Sequence, residues 1–341
     1  MSVYSNALIM TPLGKRKACN LKEGDFVFSS FGLPEKIVGV SERKEDVYVI
    51  EFYDGKKIAV GESTKFLTYN KREKRQEEVS VLNLKRTTHM IKPIDPLELP
   101  ALPLPLDPYA LGFFMNAGER ETNSMIRVKK NTASSDFSDE VLDRVAGGIG
   151  CTLINVRPPY KNYTEGGRYS FVDSNGLSIK WSYFKRHFPE ELSPNLNEMK
   201  IPLPFLRASV EQRQDFLAGF LDASYRFNAK PTSQKGLLIR RRYNDELISQ
   251  LRELCSSLGI LYYFKKSKNE IHVYLNVEQA HKITWRTPLR SPEFLLPENN
   301  SSLYGHSIKS IRKLDNPLDM VYIKTKSETL CAESYIPIIE K

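Results

Sequence analysis

Six prolines stand within PIDPLELPALPLPLDP, the sixteen residues 93–108. Proline offers no backbone N–H and fixes φ, so neither a regular helix nor a central strand tolerates that density. The stretch reads as a stiff connector, and it divides the chain. Before it, DFVFSSFGLPEKIVGV and VYVIEFYDGKKIAV are short Val/Ile/Phe/Tyr runs separated by glycine-bearing turns. That pattern predicts an all-β region over the first ninety residues. With 341 residues, 40% apolar and 11% aromatic, the chain can build two or three domains with cores.

Behind the connector the pattern changes and then repeats. Asp107–Pro108 predicts an N-cap with proline in the first turn, opening a helix through YALGFFMNAG that stops at Gly118. MIRVKK follows as a strand with a basic face, then SDFSDEVLDRVAGG as a second helix ending at a glycine pair. Ser209 and Gln212 predict a capping box in front of DFLAGFLDASY. GLLIRRRY is again a basic strand, and NDELISQLRELCSSLG an amphipathic helix with Leu247, Leu251, Leu254 and Leu258 on one stripe. ILYYFKKSKNEIHVYL then reads as a hairpin. The interval from early glycine to closing glycine is 38 residues in one half (Gly112 to Gly150) and 40 in the other (Gly219 to Gly259). An internal duplication with a pseudo-twofold axis is the expectation. Past about residue 290, HSIKSIRKLDNPLDMVYIKTKSETLCAESYIPI predicts two or three strands that return to the N-terminal β domain.

Composition limits the chemistry. No apolar run reaches membrane-spanning length. No charged-then-apolar leader opens the chain, which predicts an intracellular, non-secreted protein. Cys19, Cys151, Cys255 and Cys331 are far apart and the five histidines scattered, so neither a disulfide framework nor a metal cluster is indicated, and no cofactor is expected. The net charge of +9 suits a polyanion such as nucleic acid.

The layout resembles an intein: a Hint splicing domain interrupted by a LAGLIDADG homing endonuclease, closest to inteins of phage terminase and helicase type. TPLGKRKACNLKEGDFVFSSFGLPEKIVGV looks like the opening Hint segment and DGKKIAVGESTKFL like the one bearing the splicing histidine. LPLDPYALGFFMNAG and KIPLPFLRASVEQRQDFLAGFLDAS look like the two endonuclease helices with their lead-ins. SIKSIRKLDNPLDMVYIKTKSETLCAESYIPII looks like the closing Hint strands. The resemblance implies an α+β multidomain chain: an all-β split Hint-like domain with an inserted pseudo-twofold domain of saddle-shaped sheets and two packed central helices. Residues 1–92 and 286–341 would form the Hint-like part and 93–106 the connector. Residues 107–285 would form the LAGLIDADG-like part, in halves of about 107–200 and 201–285.

Carried over position by position, the resemblance implies lost chemistry. Splicing needs a nucleophile at the first intein position, which falls on Ser2 with only Met1 before it. The amide-polarising histidine falls on Thr64, or on Lys65 in an alignment shifted by one. The terminal His–Asn pair, whose asparagine cyclises, falls on Ile339 and Glu340, with only Lys341 beyond. Cleavage of DNA needs one carboxylate at the end of each motif helix to hold divalent metal. Those positions carry Ala117 and Ser224. A methyl group cannot bind a hard cation and a lone hydroxyl binds one poorly. Asp222 lies two residues before Ser224, about 200° around the helix, and matches the earlier, non-metal Asp of the motif; Glu119 lies two residues after Ala117, and together they are candidates for a displaced metal site.

Helix packing and DNA grip remain. Gly112 and the Ala218–Gly219 pair would let two helices approach closely, with Phe113, Phe114, Phe220 and Leu221 filling the half-cores. The strands the family lays along duplex DNA carry Arg127, Lys129 and Lys130 in one half and Arg240, Arg241 and Arg242 in the other; Lys265, Lys266 and Lys268 lie in the late hairpin. Solvated Lys and Arg on exposed strands are also common. Three roles follow as expectations. The first is a non-catalytic binder of duplex DNA. The second is a protein-binding adaptor that selects or sorts cargo in an infected cell, with Tyr160, Tyr163, Tyr169 and Tyr262 as candidate anchors. The third is an endonuclease with displaced ligands. Because one chain supplies both halves, a monomer suffices.

Overall fold

The computed structural model describes residues 1–117, 119–120, 126–129, 139–157, 168–192, 198–223, 226–227, 237–239, 244–266, 271–275 and 305–340, some of them by backbone alone. Two compact units emerge: Met1–Leu99 with Ser256–Leu261 and Asn299–Lys341, and Pro100–Cys255 with Tyr262–Glu298.

The chain opens with ten strands: β1 (Ser2–Tyr4), β2 (Leu8–Thr11), β3 (Gly14–Lys17), β4 (Phe26–Phe28), β5 (Pro34–Glu45), β6 (Val47–Phe52), β7 (Lys57–Gly61), β8 (Lys65–Asn70), β9 (Arg75–Ser80) and β10 (His89–Ile91). Alternation is plain in β8, where Phe66, Thr68 and Asn70 are buried between half-exposed neighbours, the period of a strand with one face on a core. Gly55 takes a positive φ of 85° in the turn joining β6 to β7, as the YDGK signal requires.

The second unit begins with α1 (Pro108–Ala117), β11 (Glu119–Arg120), β12 (Ile126–Lys129), α2 (Asp139–Gly148), β13 (Thr152–Arg157) and β14 (Arg168–Val172). After the short α3 (Trp181–Lys185) and α4 (Leu203–Leu206) come α5 (Val210–Asp222), β15 (Arg226–Phe227), β16 (Leu237–Ile239), α6 (Asp245–Ser257), β17 (Tyr262–Lys266) and β18 (Ile271–Leu275). Asp107 caps α1: its Oδ1 accepts from the Ala110 N–H at 2.9 Å, while Oδ2 binds Arg144 at 2.9 Å. At α5 the Ser209–Gln212 capping box is formed in both directions. The two halves repeat one topology. Each runs helix, two strands, helix, two strands, and each pairs its strands antiparallel in the order first, second, fourth, third: β11-β12-β14-β13 and β15-β16-β18-β17.

Four strands close the chain, where the sequence predicts two or three: β19 (His306–Lys313), β20 (Leu318–Thr325), β21 (Thr329–Cys331) and β22 (Pro337–Ile339). The last two are three residues each, too short for a periodicity argument. Among the described residues twelve strands make one antiparallel sheet, ordered β21-β22-β8-β10-β19-β6-β7-β1-β20-β5-β4 with β9 beside β8. The closing strands are interleaved with the opening ones: β20 lies between β1 and β5, and β19 between β10 and β6. The core beneath holds Val3, Ile50, Val60, Phe66, Val321, Ile323 and Ile338, all at most 1% exposed. No disulfide joins the cysteines, and no described helix is long and apolar enough to cross a membrane.

Candidate functional site

The two long helices of the second unit meet backbone to backbone. A Cβ built on Gly112 would overlap the Phe216 carbonyl oxygen and press on the Phe220 nitrogen; one built on Gly219 would overlap the Tyr109 carbonyl oxygen and press on the Phe113 nitrogen. These contacts are reciprocal. Positions 109, 112 and 113 of α1 relate to 216, 219 and 220 of α5 by one constant offset of 107, as in an isologous interface where i touches j and j touches i. That offset carries Ala117 onto position 224, which is a serine outside the described residues. Ala117 is the last residue of α1. Ala218, beside Gly219, is fully buried.

The symmetry has exceptions, and they are polar. Asp222 corresponds to Met115 under the same offset. It is fully buried, and its Oδ2 accepts from the Tyr109 hydroxyl at 2.8 Å across the helix pair. Asn116 donates from Nδ2 to the Phe220 carbonyl at 2.6 Å, whereas its counterpart is Ala223. The Asp222 carboxylate at the end of α5 thus faces the partner helix and a phenol. Glu119, the other candidate ligand, lies on β11, described by its backbone alone. Among the described residues no three His, Cys, Asp or Glu side chains group as metal ligands would. Around the helices Phe114 meets Phe171 and Phe184 at 4.9 Å between ring centroids, and Phe205 meets Phe216 at 5.8 Å.

A second convergence lies in the β unit, at the splicing-related positions. Ser2, on β1, is fully buried, and its hydroxyl hydrogen-bonds the Glu45 carboxylate at the end of β5. Thr64, also fully buried, donates its hydroxyl to the Ser2 carbonyl at 3.3 Å. Ser63 Oγ lies 3.4 Å and Arg43 Nε 3.5 Å from the same carboxylate. Gly61 makes the room, since a Cβ there would strike the Glu45 carboxylate. Ile339 pairs with Lys65, the residue after Thr64, where β22 meets β8. Glu340 comes next, its N–H bonded to the Glu328 carbonyl at 2.9 Å. The Met1 amine donates to the Ile323 carbonyl at 3.1 Å. Burial pushes that amine down to about 5, against the opposing pull of Glu340. Thr64 thus links Ser2 on β1 to the start of β8, which β22 joins at Ile339, and the partners found there among the described residues are hydroxyls, carbonyls and carboxylates.

The sequence gives no warning of Glu45. It sits inside SERKED, a charge run that reads as a solvated face. The partnership of Tyr109 with Asp222 spans 113 residues and leaves no local signal either.

Of the basic positions, Arg127 and Lys129 occupy alternate positions of β12, between β11 and β14. Lys265 and Lys266 are consecutive on β17, the last strand of its sheet among the described residues. Lys130, Arg240, Arg241, Arg242 and Lys268 lie outside the described residues, as do Tyr160 and Tyr163. Tyr169 is half-buried on β14, and Tyr262, at the start of β17, is buried.

No family model matches the sequence, and no curated protein does. Solved structures that match include Hint-domain inteins. The MchDnaB-1 intein is 19% identical, over 26% of this chain and 65% of that one, with a TM-score of 0.23. The gp41-1 intein is 22% identical over 30% and 69%, TM-score 0.21. The Msm DnaB1 intein splicing domain, solved bound with zinc, is 21% identical over 26% and 67%, TM-score 0.23. This chain spans less than two thirds of the length of the first of these, and the likeness is one of fold over about a quarter of its own residues.

Proposed function

We propose that the chain is an intein-derived scaffold, of phage type by its sequence resemblance, in which a Hint-like β unit carries a LAGLIDADG-like insertion and which works by holding duplex DNA without cutting it. The observation that carries the reading is the 107-residue offset of the glycine contacts. It pairs Ala117 with Ser224 at the symmetric positions where two metal-binding acids would be needed, and neither residue is an acid. The glycine contact that positions the helices is meanwhile intact. In the β unit, Thr64 cannot exchange protons as a histidine does, and neither Ile339 nor Glu340 can cyclise as asparagine does. The basic strand positions of the insertion, together with a net charge of +9, supply the case for a phosphate backbone as partner. The reading needs no cofactor, and one chain suffices.

Binding to a labelled duplex should weaken steeply as salt rises, and Arg240→Ala with Arg242→Ala should flatten that dependence. A flat, weak response would remove the DNA reading. Magnesium-dependent cutting of a plasmid library would remove the claim of inactivity and restore Glu119 and Asp222 as ligands.

An adaptor that recognises proteins is the second reading, and one feature favours it. Gly32 has φ 75°, and a Cβ there would overlap the Pro96 carbonyl, so the loop is pinned through its backbone. Its neighbours Phe31 and Leu33 are held outward, 54% and 51% exposed. Such rigid apolar tips cost little entropy to bury against a partner. If this reading holds, Phe31→Ser with Leu33→Ser abolishes recovery of protein partners and leaves duplex affinity unchanged.

A further inference from the structure

The β unit carries a basic edge that neither the helix pair nor the strands of the insertion explains. The turn from β8 to β9 reads KREKR (71–75), and the loop before β10 carries Lys85 and Arg86. The fold brings them together: Asn70 pairs with His89 across β8 and β10, and the Lys71 N–H binds the Thr88 carbonyl at 2.9 Å. The acids nearby are engaged elsewhere. Glu73 binds Arg75 at 2.6 Å, and Glu77 is shared among Asn70 at 2.7 Å, His89 at 3.3 Å and Arg75 at 3.6 Å. Glu78 lies further down β9, opposite Leu67. Among the described residues Lys71, Arg72, Lys74, Lys85 and Arg86 make no salt bridge. All but the half-buried Lys71 are exposed.

This edge is preorganised. Asn70 Oδ1 accepts from the N–H groups of Arg72 at 3.0 Å and Glu73 at 3.2 Å, and the Lys74 N–H closes the turn on the Asn70 carbonyl at 2.8 Å. His89 Nδ1 accepts from the Lys85 N–H at 3.0 Å, which leaves Nε2 to donate to Glu77 and fixes the second loop against the first. Lys74 sits at φ 53°, in the left-handed region. Glycine would occupy that conformation without strain and asparagine with little. A lysine there costs the fold about 1 kcal/mol, so the position keeps a cation where stability alone favours none.

We propose that this edge, formed by Lys71, Arg72, Lys74, Lys85 and Arg86, is a second docking site for the phosphate backbone of duplex DNA, independent of sequence. Cations carried on a hydrogen-bonded backbone and free of salt bridges among the described residues suit a regular row of phosphates, each contact releasing condensed counterions. The proposal rests on duplex DNA being the partner, and the test separates the two claims. The full chain is titrated with a duplex of arbitrary sequence, about 30 bp long, between about 50 and 200 mM NaCl. Lys74→Gly, Lys85→Gln and Arg86→Gln together should make the slope of log affinity against log salt shallower by about 2 to 3, near 0.9 per lost contact. Lys74→Gly alone should weaken binding while its thermal midpoint stays level or rises, an outcome a purely structural lysine cannot give. A slope unchanged by the triple variant but flattened by Arg240→Ala with Arg242→Ala overturns this site and leaves the insertion as the DNA contact. The converse pattern keeps this site and overturns the insertion. Competition by polyglutamate as strong as by the duplex overturns the assignment to phosphate and makes the edge a protein-docking surface.

Discussion

The two units hold their centres together by different physics. In the second, α1 and α5 touch through backbone at Gly112 and Gly219, with no space for even a methyl group on either side. In the first, strands distant in sequence share an apolar core and are further tied by buried polar pairs: Ser2 with Glu45, Thr64 with the Ser2 carbonyl, and His306 with Asp54 at 2.9 Å. A contact made of shape is broken by volume, and the buried His306–Asp54 pair by protonation. The first unit should therefore fail in acid, the second on the addition of a single carbon.

The largest effect is expected at the glycines. Gly112→Ala and Gly219→Ala should each destabilise the second unit by about 3 kcal/mol, because backbone and not a flexible side-chain end must give way. Their combination should cost clearly less than the sum, since helices already parted by one methyl admit the second. Full additivity in denaturant midpoints would show that the two contacts are not one interface.

Acid should act on the other unit. Burial holds the His306 imidazole down at about 4, against an ordinary 6.5, despite the hydrogen bond to Asp54; the nearby Lys56 ammonium adds to the depression. The unfolded imidazole takes its proton near pH 6.5 and the folded one near 4. Between those values the unfolded chain holds the extra proton, so stability is intact above the window and falls by about 3 kcal/mol as pH drops through it. Asp54, whose own pKa is lowered, withdraws further stability at still lower pH. Acidification should accordingly open the amides of β6 and β19 to hydrogen exchange before those of α1 and α5, and His306→Phe should narrow that interval.

Legibility in the sequence follows the same division. The α1 cap at Asp107 and the capping box at Ser209 and Gln212 were readable because each signal and its target lie within a few residues. The repeat was readable because duplication writes itself at a fixed interval. The interleaving of β19 and β20 among the opening strands was not, since strand order is decided by contacts hundreds of residues apart and alternation names only a face. At the sites, position could be carried over but environment could not. Thr64 and Ser2 are ordinary letters until the fold sets one against the other's carbonyl. Gly61 is unremarked until Glu45 needs its missing side chain.

Two smaller effects sharpen the contrast. Tyr109→Phe removes a buried hydroxyl from a carboxylate at almost constant volume, and should cost about 2 kcal/mol. Tyr109→Phe combined with Asp222→Leu should recover part of that, because an apolar pair leaves no carboxylate to solvate. Ser2→Ala should cost least, about 1 kcal/mol, because the Glu45 carboxylate keeps Arg43 and Ser63 when the serine hydroxyl goes. Gly61→Ala in the same network displaces the carboxylate itself, so it should exceed Ser2→Ala in lost stability and should make Ser2→Ala nearly silent when the two are combined. Equal, additive losses from the pair would mean that Gly61 does not act through Glu45. The β unit would then also have a centre limited by shape, and the distinction between the two units would reduce to His306.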